Sequence, residues 1–187
     1  LMAAVASSSS LALAQFSNFT PLTSSAGPIP IGSPLEATPL VLSNPAWTQQ
    51  TIADRATQNS LVPGSNSGNW DMIVANETGP DAGRYLLMPF ETNQAGVQRI
   101  DTWDTSYNTR TTTIVPNGAQ SFVAGDMSKW TPWGSYLTAE ESWGTGSNRG
   151  RLFEIDNATT AGPNAANFVA RTIIPRVSHE GANFDAG

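Results

Sequence analysis

The 187-residue sequence predicts an all-β fold arranged as part of a β-propeller, and three observations point there. Composition is the first: 16 Gly and 13 Pro with only 13% charged residues describe short segments and many turns rather than long amphipathic helices. The second is a series of short apolar or alternating runs bounded by Gly, Pro and Asn clusters, the pattern of half-buried strands. The third is an internal echo in which one multi-strand unit occurs twice.

Residues 1–14 are apolar and serine-rich and close on Ala12-Leu13-Ala14, the form of a secretory signal peptide ending in an A-x-A cleavage site. The charged leading region is missing, so this is expected to be a signal-peptide remnant. The alternative is a short buried helix. An exported protein follows, periplasmic or extracellular, and no other stretch reaches the roughly 18 apolar residues that span a bilayer.

Residues 15–69 are rich in Pro, Ser, Thr, Asn and Gly and read as a lead-in strand with loops. From residue 70 onward, strand signals fall at 71–75, 84–90, 97–101, 111–115, 121–124, 135–141, 151–155 and 168–174. Residues 70–187 are therefore expected to form the first blades of an incomplete β-propeller domain.

The echo pairs Gly83-Arg84-Tyr85-Leu86 with Gly150-Arg151-Leu152-Phe153, and Glu77 with Glu141. It also pairs Ile100-Asp101 with Ile155-Asp156, and Thr113-Ile114-Val115-Pro116 with Thr172-Ile173-Ile174-Pro175. The copies lie about 55–67 residues apart, somewhat more than the roughly 40–50 of simple propeller blades. A ring needs about four blades or more to close, and two units supply about two, so a longer parent protein is expected. A two-sheet β-sandwich is the alternative, because regular short strands serve either architecture.

Charge and composition exclude several function classes. The formal net charge is -6 and the nine Lys and Arg are scattered singly, so no basic stripe exists to neutralise nucleic-acid phosphates. The absence of cysteine removes disulfides, thiolate metal sites and Cys nucleophiles. Chemistry is left to oxygen and nitrogen groups. No P-loop, dinucleotide fingerprint, EF-hand, H-E-x-x-H or G-x-S-x-G motif occurs, so neither nucleotide binding nor a Ser-His-Asp triad is indicated.

Two segments carry candidate chemistry. Trp130-Thr131-Pro132-Trp133-Gly134 runs through an apolar stretch to Glu140-Glu141. Neighbouring side chains of a strand point to opposite faces, so only one of the two glutamates can face a given cation site. Arg176-Val177-Ser178-His179-Glu180-Gly181 holds the single histidine, a residue more often structural than catalytic. Arg84 and Arg151 recur in the two copies, which points to structural roles, whereas Arg176 is unique to one copy and is the candidate anion contact. Trp130 and Trp133 read as packing residues rather than substrate platforms.

The run Thr131-Pro132-Trp133-Gly134 to Glu140-Glu141 resembles a signature of PhoX-type alkaline phosphatases, and Ser178-His179-Glu180-Gly181 resembles a second one. Asn76-Glu77-Thr78-Gly79, Gly83-Arg84-Tyr85-Leu86 and Ala95-Gly96-Val97-Gln98-Arg99 resemble that family's preceding segment, in the same order, so the resemblance covers about residues 70–187. It implies a six-bladed propeller whose central cavity holds calcium and ferric iron and hydrolyses small phosphate esters outside the cytoplasm. It implies Glu141 and Glu180 as metal ligands, with Glu140 and His179 beside them.

The family carries a bridging cysteine five residues before the Thr-Pro-Trp-Gly run, where this chain has Asp126, a harder donor of different geometry that weighs against a paired-iron centre. A second family cysteine is replaced by Ala139. The candidate metal set is thus Asp126, Glu140, Glu141 and Glu180, and the candidate catalytic residues are His179 and Arg176. The leading expectation is an exported metal-dependent phosphomonoesterase. A non-catalytic calcium-binding propeller and a calcium-dependent lactonase or esterase are the alternatives, since fold alone does not choose among them.

Overall fold

Alternating apolar residues pair into two antiparallel sheets in the computed structural model, which describes residues 48–54 and 69–185. The expected signal-peptide remnant at 1–14 lies outside the described residues, as does most of the 15–69 lead-in. The chain divides between Thr51 and Ile52, and both sheets belong to the second unit, Ile52–Gly187. Among the described residues the only helical element is a 3-10 turn at Ala119–Ser121, and no helix is long and apolar enough to cross a membrane.

The first sheet contains β1 (Val74–Ala75), β2 (Tyr85–Pro89), β3 (Val97–Asp101) and β4 (Thr111–Val115), in that spatial order. The second contains β5 (Gly125–Trp130), β6 (Tyr136–Glu140), β7 (Leu152–Ile155) and β8 (Phe168–Arg171), again in order. Every strand pairs antiparallel with its sequence neighbour in the same sheet. The chain is all-β, and two such sheets are consistent with a β-sandwich.

Strand alternation decides which side chains join the sheets. Tyr136, Phe153 and Ile155 turn toward the first sheet and share one core with Leu87, Val97, Ile114 and Trp130. Leu137, Ala139 and Leu152 face the other way, with Met127 and the partly buried Phe184. Phe153 stacks on Phe168 at 4.2 Å between ring centroids and meets Phe122 edge-on at 5.0 Å. Full burial of a phenylalanine side chain contributes roughly 1.5–3 kcal/mol, and this aromatic group ties β7 and β8 to the segment that leads from the first sheet into the second.

Three expectations are corrected. The run 121–124 is not a strand: Gln120, Ser121 and Ala124 have φ of 51, 59 and 43°, a left-handed backbone incompatible with a ladder. The strand there is β5, whose Gly, Asp, Ser and Lys hide it from a reading based on β propensity. The echo is also out of step. Gly83-Arg84-Tyr85 opens the second strand of its sheet, and its positional equivalent is Gly134-Ser135-Tyr136, with φ of 82° at Gly83 and 88° at Gly134. Gly150-Arg151 instead precedes β7, a third strand, so Arg84 and Arg151 occupy different places.

Both arginines are nevertheless structural. Arg84 binds Asp101 at 2.7 Å, and Arg151 pairs with Glu140. The two tryptophans differ from each other. Trp130 is buried and donates its indole N–H to Thr78 Oγ1, whereas Trp133 is 63% exposed, donates to Glu154 Oε1 and touches Phe184. Its position in a turn explains the exposure.

Candidate metal centre

The Thr131-Pro132-Trp133-Gly134 run is the turn between β5 and β6. Ser135 N donates to Thr131 Oγ1 at 2.8 Å, Gly134 N donates to the Thr131 carbonyl, and the positive φ of Gly134 suits the return into β6. The turn sets the register so that Gly125 opposes Glu140 at the far end of the hairpin. Between that pair and Ser128–Thr138, β5 carries one residue more than β6, a β-bulge at Asp126-Met127. Such bulges re-aim side chains, and here the bulge holds Asp126 beside the residue that follows Glu140.

Close backbone contacts bring the first sheet to the same place. Gly125 N donates to Phe90 O at 3.1 Å, Ala124 N to Thr92 O at 2.8 Å, and Glu141 N to Ala124 O at 2.9 Å. A side chain at Gly125 would lie 2.7 Å from Phe122 and 2.9 Å from Pro89, so glycine permits the approach.

The segment after β8 crosses this end of the second sheet. Val177 N donates to Gly150 O at 3.3 Å, Ser178 Oγ donates to the Glu141 carbonyl, and His179 N donates to Glu140 O at 3.0 Å. Gly150 has φ 75°, and a Cβ there would sit 2.5 Å from Val177 O. Pairing His179 with Glu140 sets Glu180 beside Glu141.

Asp126, Glu141 and Glu180 converge as a result, with one carboxylate oxygen of each within 4.8 Å of the others. Asp126 is 3% exposed and its Oδ1 has no hydrogen-bond partner. Burial pushes its carboxyl up to about 7, and the negative charges of Asp71, Glu141, Glu180 and Glu91 push in the same direction. Burial likewise raises the Glu141 carboxyl, helped by a hydrogen bond to Glu91 and by repulsion from Glu180. A buried carboxylate lacking a partner is costly, and a hard cation would supply what is missing. The donors are all oxygens, with no imidazole nitrogen among them and no thiolate in the chain, a set that fits calcium.

The other three candidates lie elsewhere. Glu140 is fully buried but turned from the cluster: it accepts from Arg151 N and Nε at 3.0 and 3.1 Å and from Val123 N, and Arg149 approaches to 3.9 Å. Alternation along β6 sends it to the side opposite its neighbour, so its lone pairs are taken by an internal ion pair. Arg176 is exposed and donates to the Asn148 carbonyl.

His179 forms part of the wall of a separate cavity of about 710 Å³, with Met127, Trp133, Leu137, Leu152 and Phe184. It is 8% exposed, and burial holds its imidazole below the ordinary histidine value, so it is neutral near pH 7. Met127 and His179 line that cavity while the adjacent Asp126 and Glu180 reach the carboxylates, so cavity and cluster lie on opposite sides of the hairpin.

Sequence reasoning did not anticipate that the negative charges of Asp71 and Glu91 would bear on Asp126. Neither belongs to a motif, and only the packing of residues 69–72 and of the chain after β2 against β5 brings them near. No family model matches the chain, and neither the comparison with curated proteins nor that with solved structures finds a match.

Proposed function

We propose that the chain carries the hard-cation site of an exported phosphomonoesterase resembling the PhoX-type alkaline phosphatases, with Asp126, Glu141 and Glu180 as protein ligands. One observation carries this reading: a buried Asp126 carboxylate oxygen without a partner, in a group whose other two carboxylates lie within 4.8 Å. Two successive four-stranded antiparallel meanders support the propeller architecture, as consecutive blades of a larger ring. The order of the motifs quoted above supports the phosphatase class.

Calcium bound here would supply a Lewis acid able to polarise a phosphoryl oxygen. The chain's own residues hold and orient it: Asp126 from the bulge, Glu141 from the end of the hairpin, and Glu180 from the segment tied down through Ser178 and His179. Ferric iron beside calcium belongs to the same reading, with Asp126 at the place of the family's bridging cysteine.

A second reading has one observation in its favour. Arg176 and His179, the two residues expected to act on a phosphate ester, both stand apart from the carboxylates, as a non-catalytic calcium-binding unit would have them. Metal content and hydrolysis of a chromogenic phosphate monoester, before and after chelation, separate the two. The phosphatase reading expects bound calcium or iron and chelator-sensitive hydrolysis that Glu141→Gln and Glu180→Gln abolish. Bound calcium without hydrolysis selects the binding unit, and absence of metal overturns both.

A further inference from the structure

The face of the second sheet turned away from the first carries two concavities that join. The larger is the cavity of about 710 Å³ walled by Met127, Trp133, Leu137, Leu152 and Phe184, a size within the roughly 300–1,000 Å³ of small-molecule sites. The smaller, about 200 Å³, forms where the start of β7 meets the end of β8 and the segment after it, and Arg151, Arg171 and Arg176 line it. Leu152, Ala170, Arg171, Thr172 and Ile174 belong to both walls, so the two make one continuous depression.

The two parts differ in chemistry. On the larger wall the single carboxylate and the single arginine, Glu154 and Arg171, pair at 2.7 Å, and Glu154 also accepts from the Trp133 indole at 2.8 Å and from the Ser135 hydroxyl. The rest of that wall is mainly apolar, and Ile173 stands 89% exposed on it beside the exposed Trp133. Large apolar side chains gathered at a concave surface mark a place where an apolar body is bound.

No carboxylate lines the smaller part. Arg149 and Arg151 share Glu140, Arg171 gives Nε to Glu154, and Arg176 gives one N–H to the Asn148 carbonyl. Terminal N–H groups of Arg171 and Arg176 therefore remain for an acceptor, in a chain whose formal net charge is -6. A guanidinium with free N–H groups matches the geometry of an oxyanion.

We propose that this depression binds an amphipathic anion, an alkyl or aryl carboxylate whose apolar body fills the larger part and whose head is held by Arg171 and Arg176. The site is separate from the carboxylate cluster, which lies on the opposite side of the β5–β6 hairpin.

Titration calorimetry with decanoate, run with a chelator present so that the cation site takes no part, tests the proposal. The parent chain is expected to bind decanoate, and Arg176→Gln to weaken binding about tenfold, as loss of a charge-assisted hydrogen bond would. Ala182→Trp, which sets a bulky side chain on the exposed wall of the larger part, should weaken it at least as much. Both positions are exposed, so neither change disturbs the core. Decanol and acetate, which carry the body and the head separately, should each bind more weakly than decanoate, and decanol should be insensitive to Arg176→Gln. Decanol or acetate binding as tightly as decanoate would overturn the amphipathic site. So would decanoate affinity unchanged in both variants, or no binding by the parent.

Discussion

Asp126 shows how a single residue ties the site to stability. Its carboxyl has an ordinary value of 3.8 and is pushed up to about 7 by burial and neighbouring carboxylates, so the folded state binds its proton more tightly than the unfolded state. The stabilising contribution of that proton is complete below about 3.8 and is lost as pH rises through 7. Asp126→Asn, which cannot ionise, is therefore expected to gain stability relative to the parent as pH rises from 4 to about 7, with a constant difference above that. Urea denaturation of the metal-free proteins across this range measures it, and a pH-independent difference would contradict the assignment. At this scale the sequence was partly legible. Glu141, Glu180 and Asp126 were singled out by the resemblance to the PhoX-type phosphatases, Asp126 as the residue at the place of that family's cysteine. Local pattern alone did not tell Glu140 from Glu141, because adjacent strand residues exchange faces with any slip of register.

Among the elements, the segment following β8 is the one on which the cluster most depends. Its path is held by Gly150, whose φ of 75° and whose 2.5 Å clearance between a notional Cβ and Val177 O leave no room for a side chain. Gly150→Ala is expected to strain the backbone and displace residues 177–180, moving Glu180 away from Glu141. Calcium affinity should fall while the far-UV circular dichroism of the two sheets persists, and unchanged affinity would show that the segment does not position the ligand. The strands themselves were mostly visible as alternating runs. β5 was not, because its polar residues are buried through specific contacts: Ser128 bonds Met72 O and the Tyr136 hydroxyl, and Asp126 sits in a bulge. Those contacts come from other strands, which propensity cannot anticipate.

For the molecule as a whole, the shared core makes the two sheets one cooperative unit. Phe153 is fully buried between Phe122 and Phe168, in the same cluster as Leu87 and Ile114 of the first sheet. Phe153→Ala is expected to cost about 3–5 kcal/mol. Calorimetry should show one transition moving as a whole, and two separable transitions would mean that the sheets fold independently. The sequence by itself determined the all-β class, most strand positions and the exclusion of thiol chemistry, while its resemblance to a known family singled out the three carboxylates that converge. The fold class, the strands and the missing thiols follow from composition and from side-chain period, which are properties of local stretches. Only the tertiary structure decided that Glu140 is held by Arg151, that His179 faces an apolar cavity, and that a buried Asp126 lies within 4.8 Å of Glu141 and Glu180. Those outcomes depend on register, on a bulge and on glycine-permitted close approaches between segments far apart in the chain, where one residue's shift would reverse which face a side chain meets.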